Sequence, residues 1–255
     1  MFEIIICIIA GLGAGFGTGF AGMSAAAVIS PLLITFLDMD PYLAVGIALA
    51  SDVLASAVSA ITYGKNKNLD IKNGLIMMIS VLCFTMAGSY IASIVPKTTM
   101  GNFSVFMTLL LGIKFIVKPV TEPKQRLLAA TAKQKAIRSV ACGAAVGFIC
   151  GFVGAGGGMM MLLVLTSVLG YELKTAVGTS VFIMSATALT GSVSHFVIGG
   201  MPDVKALVIC VVSTLVFAQI ASLLANKLPA KTLNRITGAI LVVLGIAVLG
   251  VNYLA

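Results

Sequence analysis

Residues 2–37 read FEIIICIIAGLGAGFGTGFAGMSAAAVISPLLITFL, and the part that decides the fold is Gly15-Phe16-Gly17-Thr18-Gly19-Phe20-Ala21-Gly22-Met23-Ser24. The stretch carries one charge, Glu3. As a continuous helix it would run about 50 Å at 1.5 Å per residue, well past a hydrocarbon core of about 30 Å. It must therefore break, and the glycines mark where.

The rest of the chain is of the same kind. Apolar residues make up 60% of the 255 and charged residues 9%, against about a quarter charged in soluble domains. Tyr42 to Tyr63 and Ala206 to Ala225 are each long enough to cross a bilayer and hold one charge or none. This excludes a water-soluble domain. The opening Met1-Phe2-Glu3 is acidic and its apolar run overshoots a signal peptide, so no segment reads as removable. The net charge of +8 sits in short clusters between apolar runs, where basic residues set membrane orientation, and nucleic acid is not expected as a partner. Cys7, Cys83, Cys142, Cys150 and Cys210 all lie in apolar segments without a C-x-x-C pair. They read as small packing residues, with no metal site or cofactor expected.

The chain is one unit written twice. A shift of 132 residues lays Gly15-Phe16 on Gly147-Phe148, Gly19-Phe20 on Gly151-Phe152, and Ala44-Val45-Gly46 on Ala176-Val177-Gly178. One residue further, Asp70-Ile71-Lys72 meets Asp203-Val204-Lys205, Pro96 meets Pro229, and Gly112 meets Gly245. The expected organisation is a first transmembrane repeat over 1–117, a basic linker over 118–138 and a second repeat over 139–255. Each repeat reads as a Gly-interrupted segment followed by three spans: Tyr42 to Tyr63, Asn73 to Val95 and Gly101 to Val117, then Thr175 to Ile198, Ala206 to Ala225 and Ile236 to Leu254. The linker, with Lys118, Lys124, Arg126, Lys133, Lys135 and Arg138 against Glu122, belongs in the cytoplasm by the positive-inside rule. A single crossing of the first segment would leave Lys97, Lys174, Lys227, Lys231 and Arg235 outside, against eleven basic residues inside. A hairpin returning to its own side leaves only Lys97 and Lys205 outside, fourteen against two. The charges favour an all-α integral membrane protein of two inverted repeats, each a broken or re-entrant helical hairpin followed by three transmembrane helices, with both termini outside.

Backbone broken at membrane depth survives only where protein or a cavity satisfies it, and matched breaks in two halves point to a transporter's binding site. Helix N-termini at such breaks suit an anion. Thr18, Gly19, Gly22 and Ser24 are the candidates in the first half, and Gly154, Gly156, Gly157 and Gly158 in the second. Gly15 to Gly19 and Gly147 to Gly151 also fit the Gly-x-x-x-Gly spacing of close helix packing. The run Gly156-Gly157-Gly158 gains nothing further from packing and weakens a helix by about 1 kcal/mol per residue, so a functional turn is the better reading there.

Gly154-Ala155-Gly156-Gly157-Gly158, then Ala176-Val177-Gly178-Thr179-Ser180, then Asp203-Val204-Lys205, with a weaker copy in the first half, resembles the sulfite exporter TauE/SafE family over nearly the whole chain. The resemblance implies export or uptake of small sulfur-containing anions, such as sulfite or organosulfonates, across the cytoplasmic membrane of a prokaryote. Carried over by position, Gly156 to Gly158 with the hydroxyls of Thr179 and Ser180 correspond to the family's central site. The first half departs from the pattern, with Ser24-Ala25-Ala26 in place of glycines and Gly46-Ile47-Ala48 in place of Gly-Thr-Ser, so an off-centre substrate would lean on the second half.

Asp52, after Ser51, is a carboxylate at bilayer depth, where it costs at least about 2.5 kcal/mol. It is a candidate to couple transport to a proton or sodium ion. His195, the only histidine, is a second such candidate beside Ser192 and Ser194. Ser213, Thr214 and Gln219 either line a cavity or join helices. Lys114, four residues from Lys118, is placed to snorkel. Two other functions compete. Thr179 or Ser180 with His195 would make a hydrolase only if the helix broke between them, since fifteen residues of helix span about 22 Å. Met159-Met160-Met161 would suit a soft metal, but adjacent helical residues point about 100° apart. The expected partners are therefore lipid, a small anion and a coupling ion, and assembly into a homo-oligomer is compatible with the sequence.

Overall fold

The computed structural model describes residues 1–94, 109–110, 112–119, 122, 130–153 and 157–254, and these are helical apart from turns and loops. The elements are α1 (Phe2–Ala21), α2 (Ala26–Leu37), α3 (Pro41–Lys65), α4 (Ile71–Ile94), α5 (Ala132–Val153), α6 (Gly157–Leu163), α7 (Leu173–Gly199), α8 (Val204–Lys227) and α9 (Ala230–Leu254). A π-helical turn, Val164–Leu169, continues α6, and residues 112–117 are helical. Among the described residues five stretches are long and apolar enough to cross a membrane: Phe2–Ala21, Leu43–Lys65, Leu173–Val197, Val204–Lys227 and Ala230–Gly250. The expected break in the first segment falls at Gly22–Ala25, between α1 and α2. The matching residues 154–156 lie outside those described, as do 120, 121 and 123–129 of the linker and most of the span expected over Gly101 to Val117.

Short polar side chains start the helices. Asp40 accepts the amide of Leu43 (3.1 Å), Asp70 that of Asn73 (3.1 Å) and Asp203 that of Lys205 (2.8 Å), satisfying amides a first turn leaves free. Helix α5 begins at Ala132, inside the stretch read as linker, because Thr131 and Gln134 form a capping box: each side chain accepts the other's backbone amide, at 3.1 and 3.3 Å. Helix α9 likewise starts six residues before the apolar window, through a polar turn in which Asn234 donates to the Ala230 carbonyl at 2.8 Å.

The distribution of side chains is that of a protein in lipid. The inward face of α8 is small or hydroxylated (Ala206, Cys210, Ser213, Thr214, Ala218, Ala221, Ser222, Ala225). Its outer face presents Val208, Val212, Val216, Ile220 and Leu224. Lipid solvates the large apolar groups, and the small ones let backbones approach.

Glycine spacing sets which helices meet. A Cβ on Gly15 would lie 2.7 Å from Phe217 Cβ and 2.8 Å from the Thr214 carbonyl oxygen, and one on Gly19 would lie 2.7 Å from the Ala218 carbonyl oxygen. Contacts climb in step along α1 and α8, from the Glu3–Lys205 ion pair (2.9 Å) and the Ser213 hydroxyl on the Cys7 carbonyl (3.4 Å) to Gly19, so the two run in the same sense. Helices α5 and α4 repeat the arrangement: Ser80 donates to the Val140 carbonyl at 2.8 Å, Gly143 lies against Met77 and Ser80, and Gly147 against the Val81 backbone. Helices α3 and α7 cross in opposite senses, with Gly46 against His195 and Phe196 at one end and Gly178 against Tyr63 and Asn68 at the other.

Packing thus accounts for Gly15 and Gly147. Gly15→Ala and Gly147→Ala should each lower stability by about 1–3 kcal/mol through overpacking. The check is thermal unfolding of the detergent-solubilised protein, with Gly250→Ala, where a Cβ meets nothing within 4 Å, as the unaffected control.

Candidate functional site

The site is built from the break itself. Gly22 takes φ 59° and ψ 34°, a left-handed conformation that glycine adopts without a Cβ penalty. Its amide bonds the Thr18 carbonyl (2.9 Å) and the Met23 amide bonds the Gly17 carbonyl (3.2 Å). The Thr18 hydroxyl then donates across the turn to the Met23 carbonyl at 2.9 Å. Ser24 opens α2: its hydroxyl accepts the Ala26 amide (3.3 Å) and its carbonyl the Ala27 amide (3.1 Å). A turn that would be costly in lipid is thereby paired almost wholly by its own neighbours.

The second half reaches this turn at two points. A Cβ on Gly158, in the first turn of α6, would lie 2.7 Å from both the Gly22 carbonyl oxygen and the Ser24 nitrogen, and 2.9 Å from Met184 Sδ. The buried Ser180 hydroxyl, on α7, donates to the Gly22 carbonyl at 3.2 Å. Gly22, Ser24, Gly158 and Ser180 are therefore brought together, with Thr18 one bond away and Gly157 beside Gly158 at the start of α6. Gly19 faces α8 instead, and Thr179 is turned toward α4, accepting the Asp70 amide at 3.2 Å. Gly154 and Gly156 lie outside the described residues.

Asp52 is buried in the middle of α3, and one carboxylate oxygen accepts the Ser56 hydroxyl at 2.8 Å. Ser24 and the Ala25 amide, both of the break, also act on this carboxylate, yet its second oxygen, Oδ2, has no hydrogen-bond partner. Ser51 faces its own helix, donating to the Ile47 carbonyl at 2.9 Å. His195 sits near the far end of α7 against Gly46. Because α7 is unbroken from Leu173 to Gly199, His195 is about 22 Å along the helix from Ser180, and the two cannot act as base and nucleophile. Lys114 reaches the Ser167 hydroxyl in the π-helical turn and lies 5.5 Å from the centroid of the Phe115 ring. Among the described residues no three His, Cys, Asp or Glu side chains gather as a metal site.

Tyr63 and Met184 are neighbours of the site that the sequence left unmarked. Tyrosine reads as an interface residue in a chain without tryptophan, but Tyr63 is fully buried and donates to the Gly19 carbonyl at 2.9 Å, joining α3 to the end of α1. Its place at the end of an apolar span disguised it. Below the loops, Tyr171 donates to Asp70 Oδ2 at 2.8 Å. Burial, then the adjoining Asp70 carboxylate, raises its phenol above the usual range. Removing the Tyr63 hydroxyl as Tyr63→Phe should cost about 1–3 kcal/mol, the price of a buried unpaired polar group, measurable as a lower unfolding midpoint with the helical content unchanged.

The model of the family described as Sulfite exporter TauE/SafE matches residues 7–248. Over 263 residues the chain is 27% identical to the probable membrane transporter protein YunE of Bacillus subtilis (strain 168), covering 95% of this chain and 96% of that one. It is 22% identical over 216 residues to the probable membrane transporter protein YdhB of the same organism, with 85% and 88% covered. A probable membrane transporter protein of Methanocaldococcus jannaschii is 21% identical over 262 residues, with 96% and 94% covered. Helices able to cross a membrane, a paired break in the first segment and a family match over nearly the whole length agree: the chain belongs to the sulfite exporter TauE/SafE family of membrane transporters.

Proposed function

We propose that this protein is a secondary transporter of small sulfur-containing anions, such as sulfite or an organosulfonate, across the cytoplasmic membrane of a prokaryote. The observation that carries the reading is the meeting of the first break with the second-half helices, Gly158 and Ser180 against Gly22 and Ser24. The substrate class is drawn from the family. The junction suits it through the positive end of the α2 dipole and through the Ser180 hydroxyl, which would turn from the Gly22 carbonyl to meet the anion. No fixed cation is needed, and such a site releases its substrate readily.

Transport proceeds by alternating access, one repeat rocking against the other around the junction. The repeats are read as inverted. Helices α1, α3 and α8 bring their C-terminal ends to one level, through Tyr63 on the Gly19 carbonyl and Thr62 on Gln219. Helices α4 and α7 start at that level, Gly74 lying against Thr179 and Phe182. Since α1 and α3 point the same way, α2 must return between them as the second arm of a hairpin. The end holding Lys65, Lys67, Lys174 and Lys227, tied by Lys174 on the Asn226 carbonyl (3.0 Å) and Asn68 on Asn226 (2.7 Å), is assigned to the cytoplasm.

Two experiments test this. Saturable flux of radiolabelled sulfite or a sulfonate in proteoliposomes is expected from the wild-type protein, and Ser180→Ala should raise the half-saturating concentration by about threefold to tenfold. Absence of flux for every member of the panel would set the substrate class aside. Single cysteines in a cysteine-free background at Lys67 and Met201 should label from opposite sides with an impermeant reagent in whole cells, Met201 from outside. Labelling of both from one side would contradict the inverted arrangement.

A further inference from the structure

We propose that Asp52 is a proton-binding site facing the substrate junction, loaded through a polar stripe on α3, so that each anion binds together with one proton. The inference deepens the transport reading and rests on it for the anion. Seven other acidic residues are present, Glu3, Asp38, Asp40, Asp70, Glu122, Glu172 and Asp203, and each lies at a helix end or in a loop. Asp52 alone sits mid-helix, fully buried, with Oδ1 on the Ser56 hydroxyl and Oδ2 bare. A charged carboxylate with a partnerless oxygen at bilayer depth is expensive, and one proton on Oδ2 removes the charge and supplies a donor.

A metal cation fits this place less well than a proton. The carbonyls of the break are already engaged: Gly22 by Ser180, Met23 by Thr18, Ser24 by the Ala27 amide, and Ala25 by the amides of Val28 and Ile29. The groups acting on the carboxylate are Ser56, Ser24 and the Ala25 amide, with no ionisable side chain among them. On the helices around it the titratable and charged groups stand elsewhere. Glu3 and Cys7 are at the start of α1, Lys174 and His195 towards the two ends of α7, Lys205, Cys210 and Lys227 on α8, and Lys231 and Arg235 at the start of α9. Tyr63 on α3 is committed to the Gly19 carbonyl.

The charge on Asp52 faces the same turn that Gly158 and Ser180 touch. Two negative charges at one helix N-terminus repel, so an anion at the junction requires Asp52 to be neutral, and by linkage the bound anion holds the proton in place. The stripe gives the proton its way in. Ser56 and Ser59 are four and seven residues beyond Asp52, on the same face, and both are fully buried, Ser59 without a hydrogen-bond partner. Thr62, hydrogen-bonded to Gln219 (3.3 Å), and Asn66, donating to the Thr62 carbonyl (2.7 Å), continue it to the exposed end of α3. On α7 the residues 132 further on from Asp52, Ser56 and Ser59 are Met184, Ala188 and Gly191, none of which carries a hydroxyl or a carboxyl. The proton arrives from water at one end, adds to Oδ2 as an O–H bond, and leaves as the same proton with the anion on the other side.

The test has an arm that needs no substrate. Infrared difference spectra of wild-type proteoliposomes between about pH 5 and pH 9 should contain a protonated-carboxyl band that titrates and is missing in Asp52→Asn. The second arm uses methanesulfonate, which has no titratable proton in this range. Asp52→Asn should lose methanesulfonate accumulation driven by a pH gradient by about tenfold or more. Asp52→Glu should restore part of it, and Ser59→Ala should slow it. A carboxyl band absent at every pH, a band unchanged in Asp52→Asn, or gradient-driven accumulation by Asp52→Asn equal to wild type would each overturn the proposal. A titrating Asp52 band with no methanesulfonate movement in the wild type would support the proton site and count against the anion.

Discussion

Every other feature of this protein depends on keeping a broken backbone paired inside a membrane. Lipid offers no hydrogen bonds, so the turn at Gly22 to Ala25 has to be satisfied by protein. Thr18 and Ser24 supply local partners, and Ser180, more than a hundred residues away, supplies the distant one. That last bond makes the turn a meeting place of the two halves. The same requirement admits Gly158, since any side chain there would strike the Gly22 carbonyl.

Bringing the halves together demands close helix packing elsewhere. Helices α1 and α8 approach through Gly11, Gly15 and Gly19 against Ser213, Phe217 and Ala221. Helices α5 and α4 approach through Gly143 and Gly147 against Met77, Ser80 and Val81. In each case the first helix of one half docks on the second of the three spans of the other, while Tyr63 of α3 also ties the end of α1 within its own half.

The two halves of the sequence differ at the positions that face the junction. Ser180 on α7 corresponds to Ala48 on α3, and Asp52 on α3 to Met184 on α7. Both Ser180 and Met184 touch the junction, while Asp52 approaches it through Ser24 and Ala25. At the two pairs of corresponding positions the hydroxyl stands in one half and the carboxylate in the other.

Composition and spacing alone decided that the chain lives in lipid, that its first segment breaks, that its motifs recur at a near-constant offset and that it resembles its family. Those properties are local: charge density, helix rise and the cost of glycine in a helix can be read from neighbours in sequence. Partner choice is not local. Nothing in Gly15-x-x-x-Gly19 tells that Gly19 belongs to helix packing and to Tyr63 while Gly22, three residues on, belongs to the junction. Nothing in Thr179-Ser180 tells that one hydroxyl turns to Asp70 and the other to Gly22. Adjacent residues on a helix point about 100° apart, so only the placement of the surrounding helices decides which of them meets the site. Asp52 shows both sides: its cost at bilayer depth was legible in the sequence, whereas its bare Oδ2 beside the α2 turn is a property of the tertiary structure, set by how α2 and α3 pack.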